Sequence, residues 1–165
     1  MAAVTTKSDT PAYAGPTAAH RAGHILLLVL LFALGLAVGT VGSFLHRAEF
    51  STGSVSWPDG LLLSLGALVG LLLGAGELLP VLATPGTVPP GRLGGLGTAA
   101  AGWVVAVIWL TYVGPPFSFQ SKGDVILAND WRSMSFLIVG MALATYFLYR
   151  SWITALDAKL ARARG

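Results

Sequence analysis

The sequence predicts an all-α membrane protein: a bundle of four transmembrane helices with a short extracytoplasmic β-hairpin-like loop. Three observations carry this expectation. Of 165 residues, 55% are hydrophobic and 10% charged, whereas a soluble domain carries about 25% charged residues. Long uncharged apolar runs are separated by breaks containing Pro and Gly. The basic residues stand beside those runs, where anionic lipid headgroups attract them. Net charge is +3 with a sequence pI near 9.6, and this placement favours lipid over nucleic acid as the partner. The chain has no cysteine, which excludes disulfides, thiolate metal sites and a cysteine nucleophile.

Residues 1–23 are rich in Ala, Thr, Pro and Gly and lack apolar periodicity, so a disordered cytoplasmic tail is expected. The four-helix domain then covers 24–156. Its first span, about 25–45, is uncharged and at roughly 1.5 Å per residue reaches about 31 Å, enough to cross the hydrocarbon core. It is too long for a signal-peptide apolar region. The second span, about 60–82, follows Trp57-Pro58 and closes at Pro80 and Pro85. The third, about 93–113, ends at Gly114-Pro115-Pro116. The fourth, about 133–153, carries Arg150 near its end, and residues 157–165 continue the helix as a basic tail.

The loops set the orientation. Lys7, Arg21, Arg92, Arg150, Lys159, Arg162 and Arg164 fall on one side, and Arg47, Lys122 and Arg132 on the other. The positive-inside rule then places both termini in the cytoplasm. Trp57, Tyr112 and Trp131 at one interface, and Tyr146, Tyr149 and Trp152 at the other, form the expected aromatic belts.

Small residues recur at helical spacing. Gly66, Gly70 and Gly74 lie on span two, Gly35, Gly39 and Gly42 on span one, and Gly94, Thr98, Gly102 and Ala106 on span three. Such stripes let backbones approach where lipid offers no hydrophobic drive. They either pack one bundle together or serve a homo-oligomeric or partner interface.

Glu77 is the only carboxylate well inside a span. Gly66, Gly70 and Gly74 fall at roughly 0°, 40° and 80° around the axis and Glu77 at about 20°, so it shares the glycine face. A carboxylate there must be paired or protonated. Arg150 is the first partner expected, with His24, Arg92, Thr98 and Tyr146 at similar depth. The residue is either a proton or cation site or an ion pair that fixes helix register.

The outer loop, Gly114–Arg132, is long for so short a chain. Phe117 and Phe119 alternate with polar residues, Lys122-Gly123-Asp124 is a turn signal, and alternation resumes at Val125. A hairpin of 117–120 against 124–128 follows, as a lid or as a binding surface decorated by Asp124, Asn129, Asp130 and Arg132. His24 and His46 are about 33 Å apart along span one and cannot share a haem or metal. No cofactor is expected, and no phosphate loop, HExxH or GxSxG motif is present.

The Ala, Gly and Leu bias is typical of high-GC bacteria. With four spans, Gly123-Asp124-Val125-Ile126 and Asn129-Asp130-Trp131-Arg132, the chain resembles small actinobacterial membrane proteins of unassigned function over most of 24–153. The resemblance implies a cytoplasmic-membrane address and no activity. Four short helices with one embedded glutamate also resemble small multidrug-resistance transporters. That family carries its glutamate in span one near mid-membrane, whereas Glu77 lies in span two near the inner face. The leading expectation is a non-enzymatic accessory or assembly component acting through helix packing and its outer loop. The alternative is a small proton-coupled transporter or channel component using Glu77.

Overall fold

The computed structural model describes residues 18–46, 50–52, 55–81, 92–112 and 131–164. The elements are α1 (Ala18–Leu45), β1 (Phe50–Thr52), β2 (Val55–Trp57), α2 (Asp59–Val81), α3 (Arg92–Tyr112) and α4 (Trp131–Arg164). All four helices are long and apolar enough to cross a membrane. Their outer faces agree: Leu26 is 71%, Leu63 63% and Ile138 66% exposed, a surface suited to hydrocarbon.

Two helices are longer than their apolar runs. α1 begins at Ala18, so residues 18–23, expected within a disordered tail, are its first turns; Ala and Arg are strong helix formers. α4 runs unbroken to Arg164 over 34 residues, about 51 Å at 1.5 Å per residue. No Gly or Pro interrupts it after Gly140, and Arg162 and Arg164 complement the dipole in its last turn. α2 starts cleanly after Pro58, whose carbonyl accepts from Leu61 N at 3.0 Å and Leu62 N at 3.1 Å.

The hairpin expected across 117–128 is not supported; those residues lie outside the described ones. Among the described residues the strand pair is β1–β2, between α1 and α2, with Phe50 opposite Trp57 and Thr52 opposite Val55. The intervening Gly53-Ser54 is a two-residue hairpin signal in the sequence.

Successive helices run antiparallel, so α1 and α3 are parallel, and these two approach most closely. A Cβ on Gly35 would strike the Ala99 carbonyl oxygen, and one on Gly102 the Phe32 carbonyl oxygen. One helical turn on, a Cβ on Gly39 would stand 2.8 Å from Ala106 Cβ. Backbone therefore meets backbone, the packing that small residues permit in lipid. The main core gathers Leu68, Leu72, Leu96, Trp103, Phe136 and Ala144 from α2, α3 and α4. α4 makes room for the Trp103 ring at Gly140, where a Cβ would lie 2.6 Å from the ring. Hydroxyls within the helices return to the preceding turn: Ser43 to Gly39, Ser64 to Gly60, Thr98 to Gly94 and Thr111 to Val107, each donating to the carbonyl at 2.6–2.7 Å.

Candidate functional site

At the bundle end where α2 finishes and α3 begins, three helices leave a cavity of about 290 Å³. α2 contributes Leu72, Leu73, Gly76 and Glu77, α3 Arg92 and Leu96, and α4 Phe147, Arg150, Ser151 and Thr154. The α4 residues form one face by helical spacing. Glu77 pairs with Arg92 at the rim, the two side chains 62% and 52% exposed. The first-choice partner of the sequence reading, Arg150, lines the same cavity without an ion pair among the described residues. Arg92 takes the carboxylate because it opens α3 opposite the last turn of α2. Among the described residues no hydrogen bond or ion pair joins His24 to Glu77.

Ser151 is 7% exposed and its Oγ has no hydrogen-bond partner. Its own carbonyl accepts from Thr154 Oγ1 at 2.9 Å. The cavity therefore combines two guanidinium groups, one carboxylate, an uncommitted buried hydroxyl and an apolar wall of Leu72, Leu73 and Phe147.

The small-residue stripes divide sharply. Gly35, Gly39 and Gly102 are consumed in the α1–α3 contact, whereas a Cβ on Gly66, Gly70 or Gly74 would meet nothing within 4 Å. Of the two roles open to the stripes, the α2 stripe does not pack against the other described helices and faces outward. Glu77 continues that face, which explains its exposure.

Residues 10–155 match a family described as Family of unknown function (DUF6113). The chain belongs to this DUF6113 family. No curated protein and no solved structure matches it. The region shared with DUF6113 takes in all residues of the cavity and the α2 stripe; the last turns of α4 lie beyond it.

At the opposite end this DUF6113 chain holds a polar cluster that sequence reasoning missed. His46 is fully buried, with Nε2 3.1 Å from Ser133 Oγ and Nδ1 3.3 Å from the Gly42 carbonyl oxygen. Its ring stacks on Phe136 at 5.2 Å, and Phe136 meets Trp103 edge-on at 5.7 Å. Ser64 Oγ also donates to the Gly42 carbonyl at 3.3 Å. The legible signal was position: Gly39, Gly42, Ser43 and His46 share one face of α1.

Of the outer-loop residues singled out, Phe117, Phe119, Asp124 and Asp130 lie outside the described residues. Arg132, in the first turn of α4, holds its guanidinium 5.5 Å from the Trp131 ring centroid. Among the described residues no three metal-ligating side chains converge.

Proposed function

We propose that the protein is a non-enzymatic packing component of a membrane assembly, seated in the bacterial cytoplasmic membrane with both termini inside. The outward α2 face, Gly66–Gly70–Gly74, receives a transmembrane helix of a second polypeptide. One observation carries this reading: a Cβ on any glycine of that stripe would meet nothing within 4 Å, while Gly35 and Gly39 of α1 and Gly102 of α3 are filled by the facing helix. An open small-residue groove in lipid gains dispersion contacts when a helix enters it. The excess of Lys and Arg at the α2–α3 end supports the orientation.

The absence of cysteine makes the test direct. Cysteine introduced at Gly70 should capture a helix-linked adduct in native membranes, and cysteine at the lipid-facing Ile138 should not. A self-adduct identifies a homo-oligomer and a mixed adduct identifies a partner. Equal capture from both positions would remove the basis for the reading. Reporter fusions at each terminus should both read cytoplasmic.

The cavity beside Glu77 favours a second reading, a proton-coupled transporter or channel component. The exposed Arg92 pairing weighs against it, because a proton carrier needs a carboxylate that is released within the membrane. Glu77→Gln abolishing proton-driven uptake in vesicles would favour this alternative.

A further inference from the structure

We propose that the cavity between α2, α3 and α4 binds the phosphate of an anionic phospholipid, with Arg150 and Ser151 as its principal contacts. The first ground is Ser151. Four other hydroxyls in these helices bond the carbonyl one turn back, but the Ser151 Oγ bonds nothing although it is buried. A buried hydroxyl without a partner loses the hydrogen bond that water gave it and gains none in return. A ligand oxygen reaching it would recover that loss.

The second ground is charge. Arg92 and Arg150 line the cavity against one carboxylate, Glu77, and Glu77 is engaged by Arg92. Among the described residues this leaves the Arg150 guanidinium without an ion pair, and guanidinium matches phosphate through two parallel hydrogen bonds. Snorkelling to the headgroup level would account for Arg150 alone; it would not account for a buried hydroxyl beside it.

The third ground is shape. A volume of about 290 Å³ offers more room than a bare anion uses. Leu72, Leu73 and Phe147 continue the wall, and Leu73 is itself 52% exposed on the apolar outer surface. A ligand that is anionic at one end and hydrocarbon at the other satisfies both parts. Lys159, Arg162 and Arg164 on the end of α4 raise the local concentration of anionic lipid.

The test is native mass spectrometry of the full-length protein in neutral detergent, titrated with phosphatidylglycerol or phosphatidylcholine. Phosphatidylglycerol should be retained preferentially. Arg150→Gln should weaken that retention about tenfold and Ser151→Ala by a smaller factor, with helical circular dichroism unchanged. A variant with Gln at 159, 162 and 164 should keep most of it. Millimolar inorganic phosphate should not displace the lipid. Equal retention of both lipids, indifference to Arg150→Gln and Ser151→Ala, or equal loss in the tail variant would each overturn the assignment. Displacement by inorganic phosphate would make this a free-phosphate site instead. None of these outcomes bears on the α2 glycine face, so the two proposals stand or fall separately.

Discussion

Gly35 and Gly102 each supply the clearance for the other's helix: a methyl group on either would enter the backbone of the opposite helix, at the carbonyl of Ala99 or of Phe32. At these two positions the closest approach is backbone to backbone.

Alanine at Gly35 or Gly102 should destabilise the bundle by about 1–3 kcal/mol, the range for overpacked cores. This outweighs the roughly 1 kcal/mol that Gly→Ala gains in helix propensity. Alanine at Gly70 meets open space and should leave the stability of the single chain equal or higher. Reversible unfolding in mixed detergent and SDS compares the three variants. A Gly70→Ala loss as large as that of Gly35→Ala would contradict the placement of the α2 stripe.

Phe136 joins His46 to Trp103 and is fully buried. Phe136→Ala should cost about 3–5 kcal/mol in the same assay. Near-ultraviolet circular dichroism should change with it, because Trp103 loses its edge-on neighbour. An unaltered Trp signal would mean that the two rings do not meet.

Ser133→Ala removes the bond to His46 Nε2 and should cost about 0.5–1.5 kcal/mol. The expected spectroscopic mark is a shift of the His46 imidazole resonances in NMR of the labelled protein, with other histidines unmoved. Resonances that stay in place would separate the two residues.

Glu77→Gln breaks an ion pair in which both partners are more than half exposed. Such pairs contribute about 0–1 kcal/mol, so the variant should fold and unfold nearly as the parent does. A loss of several kcal/mol would mean that Glu77 is buried against a partner in the native membrane, in line with a helix seated on the α2 face.

The spans were legible because twenty or so apolar residues leave few alternatives to a helix in lipid. Their ends were less legible. Nothing in the polarity of residues 18–23 announces that α1 already begins there, since helix propensity is a weak signal beside hydropathy. The facing of the glycine stripes could not be read either, because a stripe specifies that something close can pack, not what. Angular position puts Glu77 with Gly66, Gly70 and Gly74, but which way that face points depends on the other helices. Arg92 was among the partners considered for Glu77; choosing it over Arg150 needed the relative height of α3 and α4. His46 was read only as lying too far from His24 to share a metal, because burial against a residue such as Ser133, far along the chain, leaves no local trace.

The parallel α1–α3 contact also constrains the order in which the molecule can be made. Neighbours in sequence form antiparallel hairpins as they emerge, but α1 must wait until α2 has turned back and α3 has entered before its notches at Gly35 and Gly39 can be filled. The seam at Gly35, Gly39 and Gly102 is thus closed across an intervening segment, and a chain emerging amino terminus first carries open notches on α1 until α3 follows.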